Sequence, residues 1–268
     1  MKNLVLKLSL CAAVAVGGLG ICLAQEAKPA PKRLLIVTVC KTYRHASIDT
    51  GEKVVAAMGA KTGEFTVDYA RTDEDLATKM TPEALKNYDG VFFLSSNGEI
   101  PLPDEAGFLN WIKSGKAFIG AHAATDTLHG HGPGADPYIE MIGGEFTTHV
   151  TAPVVCINDD PKHPANAKFG ETYPITDEIY MITKNFSRDK VHMLLHLDKA
   201  PGSGAPGYFP ISWCKKYGDG NVFYTALGHG DNVWESPDFQ AHVLGGIEWA
   251  LGLKPGDATP QAAPAPKP

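Results

Sequence analysis

Apolar runs separated by polar turns divide the chain into short alternating segments. Leu34 to Val39 is apolar on both faces, as a strand buried inside a parallel sheet must be. Ser47 to about Met58 reads as a helix, with Ser47 as its cap and Asp49 and Glu52 in its first turns. Phe65 to Tyr69 alternates as a second strand, and Gly90 to Ser95 is a third. Short helical pieces fall at Asp73 to Leu76 and at Pro82 to Leu85. Pro103 to Ser114 is an amphipathic helix with Phe108, Leu109, Trp111 and Ile112 at helical spacing, a stripe most simply explained as core. Ala117 to Ile119 is too short and too glycine-bounded for a helix and reads as another buried strand.

Strand, helix and strand in regular alternation predict an α/β fold, a doubly wound sandwich around a mostly parallel sheet. Ligands in such folds sit beyond the carboxyl ends of the strands. Three segments project there: Tyr43-Arg44-His45, Ser95-Ser96-Asn97 and His122 through Asp126.

The second half is less regular. Tyr138 to Ile142 is a short helix closed by Gly143-Gly144, and Pro153 to Ile157 is a strand. Asp177 to Ile182 and Val191 to Leu197 are two more, and Pro201 to Pro210 is a Gly/Pro loop. Ile211 to Lys215 and Asn221 to Ala226 form a hairpin. Phe239 to Leu251 is the last helix.

At Gly120-Ala121-His122-Ala123-Ala124 small residues flank one polar side chain. A sharp strand-to-helix turn needs that pattern, because larger neighbours would clash where the backbone doubles back. In hydrolases of this build the tip residue is a Ser or Cys nucleophile. Here it is His122, a poor nucleophile but a good metal ligand or proton carrier.

His45 and His229, like His122, follow apolar strands directly or after a short loop, and His149 lies after the Gly-Gly turn. If the strands share one sheet, these four imidazoles converge as a metal set, with zinc the default ion. Glu178 is the best carboxylate for acid or base work, since its apolar neighbours imply burial that would raise its pKa. Asp126, four residues after His122, is placed to pair with that ring. Arg44, Asn97 and Asp231 are candidates to bind substrate hydroxyls from the rim. His129, His131, His163, His192 and His196 read as loop, turn or structural residues.

Composition narrows the function. The chain has 24 basic against 30 acidic residues, net −6, with no basic patch interleaved with aromatics, so a nucleic-acid partner is not expected. The Pro201 to Gly207 loop lacks the following Lys-Ser/Thr of a phosphate loop, and no Gly-x-Gly-x-x-Gly follows the first strand, so no nucleotide cofactor is expected.

Lys2 and Lys7 precede an apolar run, Leu8 to Leu23, with small residues before Gln25. This is the pattern of a secretory signal peptide over residues 1–24, giving an exported periplasmic or extracellular protein with no stable membrane insertion after cleavage. Residues 25–32 read as a flexible leader, 33–254 as one domain, and 255–268 as a disordered Ala/Pro tail. Cys40, Cys156 and Cys214 remain after cleavage, and an odd number cannot be a full disulfide framework.

From Leu34 to Leu253 the chain resembles the trehalose-utilisation (ThuA-like) family of the class I glutamine-amidotransferase-like superfamily. The matching pieces are Tyr43 to Ile48, Gly120-Ala121-His122 with Asp126, and Gly143 to Phe146 with His149. His163-Pro164, Asp177 to Tyr180 and Phe223 to His229 complete the set. The resemblance implies a flavodoxin-like three-layer sandwich. It also implies that His122 stands where the amidotransferase has its nucleophilic Cys, and His229 where it has its catalytic His, so glutamine hydrolysis should be absent. Where the family usually has Trp after the Asp-Glu pair, this chain has Ile179. The expectation is a metal-assisted enzyme acting on a disaccharide or keto-glycoside by hydrolase or lyase chemistry. The alternative is a non-catalytic sugar-binding module on the same fold.

Overall fold

In the computed structural model, residues 29–132 and 134–261 are described. The expected signal peptide lies outside them, as do all but the last four residues of the expected leader, and Lys32 already belongs to the first strand.

The first half alternates as its apolar runs predict. It contains β1 (Lys32–Val37), α1 (Ile48–Thr62), β2 (Phe65–Ala70), α2 (Asp73–Lys79), α3 (Pro82–Leu85), β3 (Gly90–Leu94), α4 (Glu105–Lys113) and β4 (Ala117–Ala121). The second half contains α5 (Pro137–Ile142), β5 (Glu145–Asn158), β6 (Thr172–Lys184), β7 (His192–Lys199), β8 (Pro206–Tyr217), β9 (Gly220–Thr225), α6 (Asp231–Trp234) and α7 (Pro237–Ala250).

All nine strands join one sheet in the order β2-β1-β3-β4-β9-β8-β7-β5-β6. From β2 to β9 the pairing is parallel. From β9 to β6 it is antiparallel, and more residues pair antiparallel than parallel. The expectation of a mostly parallel sheet is therefore corrected to a mixed one. The cause is local: from β5 to β9 the strands are joined by turns, loops and single 3-10 turns, none of which carries the α-helical crossover that a parallel connection usually has.

Alternate residues of the buried strands feed two separate cores. Leu34 and Ile36 pack with Val55, Val243 and Ile247 from α1 and α7. Leu35 and Val37 pack with Leu76, Leu85, Phe108 and Ile139 from α2 to α5. Period-two alternation in a strand apolar on both faces thus makes a three-layer α/β/α arrangement.

Two local expectations change. The turn after β4 runs into a 3-10 helix, His122–Asp126, and not an α-helix. Residues 255–261, expected as disordered tail, are tied to the core: Cys214 Sγ donates to the Asp257 carbonyl, His192 Nδ1 to the Thr259 carbonyl, and Gln261 N to the Val191 carbonyl. Those carbonyls and amides satisfy buried partners, which composition does not reveal.

Among the described residues Cys40, Cys156 and Cys214 are free thiols. No helix among them is long and apolar enough to cross a membrane.

Candidate functional site

The carboxyl ends of β1, β3, β4 and β9 carry the expected segments to one edge of the sheet. At the end of β4 a Cβ on Gly120 would lie 3.1 Å from both Ala124 Cβ and the Tyr224 ring, so a larger residue would press on the returning chain there. His122 follows with φ 51°, a left-handed conformation costly for a residue with a Cβ and typical of a residue held for function. Its carbonyl accepts from Tyr224 Oη at 2.9 Å, which fixes the turn.

His229 is set by a second pinned turn. Gly228 has φ 113°. Its N–H donates to the buried Asp177 carboxylate at 2.7 Å, and its carbonyl accepts from Trp234 Nε1 at 2.8 Å. A charge-assisted hydrogen bond of this kind contributes roughly 1.5–3 kcal/mol. The His45 loop is clamped by Asn97, whose Oδ1 accepts from Thr42 N at 3.1 Å and from Thr42 Oγ1 at 2.9 Å, and whose Nδ2 donates to the Tyr43 carbonyl.

Glu178 and His149 arrive from the antiparallel half. β5 pairs with β7 only at Ile157 and Asn158, so the long β5–β6 hairpin is free of β7 over most of its length. It brings Tyr180 against His122, with ring centroids 4.1 Å apart.

The donors converge. His122 Nδ1 lies 3.0 Å from the Ala226 carbonyl, which only accepts, so Nδ1 carries a proton and Nε2 is the nitrogen turned inward. That Nε2 is 3.4 Å from Glu178 Oε2 and 3.3 Å from His229 Nδ1, and His229 Nδ1 is 3.1 Å from Glu178 Oε2. His45 adds a fourth donor, and the ligand atoms of His45, His122, Glu178 and His229 all lie within 4.8 Å of one another. His45 Nδ1 is buried with no hydrogen-bond partner. Its pKa is pushed down to about 3, first by burial and then by His122 and His229, so the ring is neutral near pH 7.

The expected residues fall into groups. His45, His122 and His229 meet as expected, with Glu178 as the fourth member of the set. His149 stands one step out: its Nδ1 contacts Glu178 Oε1 at 3.0 Å and orients that carboxylate. The expected upward shift of Glu178 is reversed. His122 first, with His229 and His149 in support, favours the ionised carboxylate and lowers its pKa, and together they outweigh the desolvation that raises it.

Asp126 does not pair with His122. It takes His129 Nε2 at 3.0 Å, and His129 Nδ1 contacts Glu145 at 3.3 Å. The Asp126 hydrogen bond and carboxylate raise the His129 pKa, so a histidine read as a loop residue bridges two acids. Asn97 is spent on its loop, Arg44 on the Thr38 carbonyl and Asp49, and Asp231 opens α6. The site opens into a pocket of about 420 Å³, lined by Asp126 and Asn97 but not by Arg44 or Asp231. Sequence reasoning gave no role to three of its lining residues, Tyr43, Phe146 and Tyr180. All three lie inside the matching sequence pieces, which was the available signal.

The ThuA family model, described as trehalose utilisation, matches residues 33–250. The chain belongs to the ThuA family. A ThuA-like protein of Bacteroides uniformis is similar in structure, with TM-score 0.64 and 20% identity, over 85% of this chain and 94% of that one. Another, from Parabacteroides merdae, has TM-score 0.64 and 20% identity, over 87% and 93%. A cold-adapted β-galactosidase of Rahnella has TM-score 0.54 and 12% identity, with 84% of this chain matching 32% of that one. At these identities the likeness is one of fold. No match was found among curated proteins.

Proposed function

We propose that this ThuA-family chain is an exported, metal-assisted enzyme acting on a disaccharide or keto-glycoside by hydrolase or lyase chemistry, on a flavodoxin-like frame. The observation that carries the reading is the convergence of His122 Nε2, His229 Nδ1 and Glu178 Oε2 at 3.1–3.4 Å. The edge of a tetrahedron of zinc ligands is about 3.3 Å, given zinc–nitrogen bonds of about 2.05 Å. His122 also has the backbone-carbonyl partner typical of a metal-bound imidazole. The family description supports the substrate class, the charged start and apolar run of residues 1–24 support export, and the order β2-β1-β3-β4-β9 of the parallel half supports the frame.

His45, His122, His229 and Glu178 would hold the ion. A divalent ion there supplies polarisation of a carbonyl or hydroxyl, or a water of lowered pKa. His149 steadies Glu178. With Glu178 engaged by three histidines, Asp126 is the pocket carboxylate left to accept a substrate proton, and His129 fixes its position. Glutamine hydrolysis is not part of the activity, because His122 replaces the nucleophile at the turn.

The test is turnover of trehalose and its 3-keto derivative by purified protein, with chelator and zinc add-back. The expected result is product formation lost with chelator, restored by zinc and absent in His122→Asn. Turnover indifferent to chelator contradicts the metal role. Binding without product supports the non-catalytic sugar-binding module.

A further inference from the structure

The carboxylates that line the pocket, Asp126 and Glu178, have no lysine or arginine opposite them. The neighbouring cation, Arg44, is turned to the Thr38 carbonyl and to Asp49 at 3.1 Å. His129, behind Asp126, is shared with Glu145, which Lys184 approaches at 3.8 Å. A divalent ion bound by the histidines would bring the two lining carboxylates to neutrality and leave no surplus positive charge. Apart from coordination to a metal, phosphate and carboxylate are typically held by a guanidinium fork, an ammonium or backbone N–H groups, and neither of the first two lines this pocket.

Most of the remaining lining is aromatic rings. Phe146 and Tyr180 pack at 4.2 Å between ring centroids and form one wall. Tyr43 is at the mouth. It is 62% exposed, and among the described residues only it and Val155 are large apolar side chains left so open. The loop beneath it is nevertheless tied down by hydrogen bonds. Asn97, 1% exposed, bonds both neighbouring peptide groups, and the Tyr43 ring lies edge-on to His45 at 4.9 Å. A buried amide spent on holding an exposed ring is intelligible if the ring has a ligand to meet. The volume of about 420 Å³ lies in the range of small-molecule sites, roughly 300–1,000 Å³.

We propose that the pocket selects an uncharged glycoside, stacked on Tyr43 at the mouth, and discriminates against phosphorylated sugars. The proposal rests on the sugar-directed reading above and adds its substrate class and a specificity-determining residue.

Calorimetric titration with trehalose and with trehalose 6-phosphate tests it, on chelator-treated and zinc-loaded protein. Trehalose should bind at least about tenfold more tightly than its 6-phosphate in both forms. Tyr43→Ala should weaken trehalose by about fivefold or more, while Tyr43→Phe, which keeps the stacking face, stays within about twofold. Zinc content should be unchanged in both variants. Equal or tighter binding of the 6-phosphate, an unaffected Tyr43→Ala protein, or no binding of either sugar overturns the proposal. Because binding is also read without metal, a zinc-free protein that still prefers trehalose separates failure of the metal role from failure of this one.

Discussion

Two groups of histidines in this chain use their ring nitrogens in opposite ways. Beneath the C-terminal segment, His192 gives Nε2 to Asp160 at 3.0 Å and Nδ1 to the Thr259 carbonyl at 2.9 Å. His163 Nδ1 accepts from Ala165 N, and its Nε2 faces Cys214 Sγ at 3.7 Å. Each nitrogen there has its own partner, so the group is a closed structural staple. At the sheet edge, His122 Nε2, His229 Nδ1 and Glu178 Oε2 face one another, and His45 Nδ1 has no partner. A single proton on His229 Nδ1 serves part of that contact, whereas a divalent cation serves all of it. Histidine content does not separate the two groups; the direction in which unspent lone pairs point does.

The largest expected effect comes from removing the central donor. His122→Asn, chosen because asparagine tolerates the left-handed backbone at φ 51°, should fold normally and bind zinc at least about 100-fold more weakly. Circular dichroism with a zinc titration checks both parts. Glu178→Gln keeps the shape and removes the charge, and should weaken zinc by about 10–100-fold. An unchanged affinity would mean that the carboxylate is not a ligand.

The staple should answer to pH and not to metal. Burial holds His163 of the staple neutral, and does the same to His242 on α7, outside the staple; each has its pKa lowered to about 4. The unfolded rings take up protons below about pH 6.5 and the native ones do not until about pH 4, so stability should fall across that window as pH falls. Between pH 7 and pH 5 the loss is on the order of 2 kcal/mol per ring, from about 1.4 kcal/mol per pKa unit. Urea unfolding at the two pH values measures it; a flat profile would show that the rings charge freely. The smallest effect belongs to His192→Asn. It should cost about 1–2 kcal/mol of stability through the lost Asp160 contact and leave zinc affinity unchanged.

The parallel half was legible because its signals are local. Leu34 to Val39, Gly90 to Ser95 and Ala117 to Ile119 are apolar on both faces, and the small residues around His122 announce the turn. The antiparallel half was not. β5 begins at Glu145, well before Pro153, because Phe146 to Thr151 is a half-exposed stretch whose partner, β6, is non-local. Pro206 to Pro210, the second half of the Gly/Pro stretch, likewise belongs to β8, since pairing with β7 overrides a loop-like composition. Convergence of His45, His122 and His229 followed from their shared place after strands. The grouping of Glu178 with them, and the diversion of Asp126 to His129, depend on a hairpin path and a ring orientation that no spacing encodes.

The most direct measurement is elemental analysis of the purified protein, wild type beside His122→Asn. Wild type should carry about one equivalent of zinc or another divalent ion, and the variant should have lost it. Absence of metal in the wild-type protein, with no binding on added zinc, would contradict a metal centre and leave the histidines and Glu178 as a proton-sharing cluster.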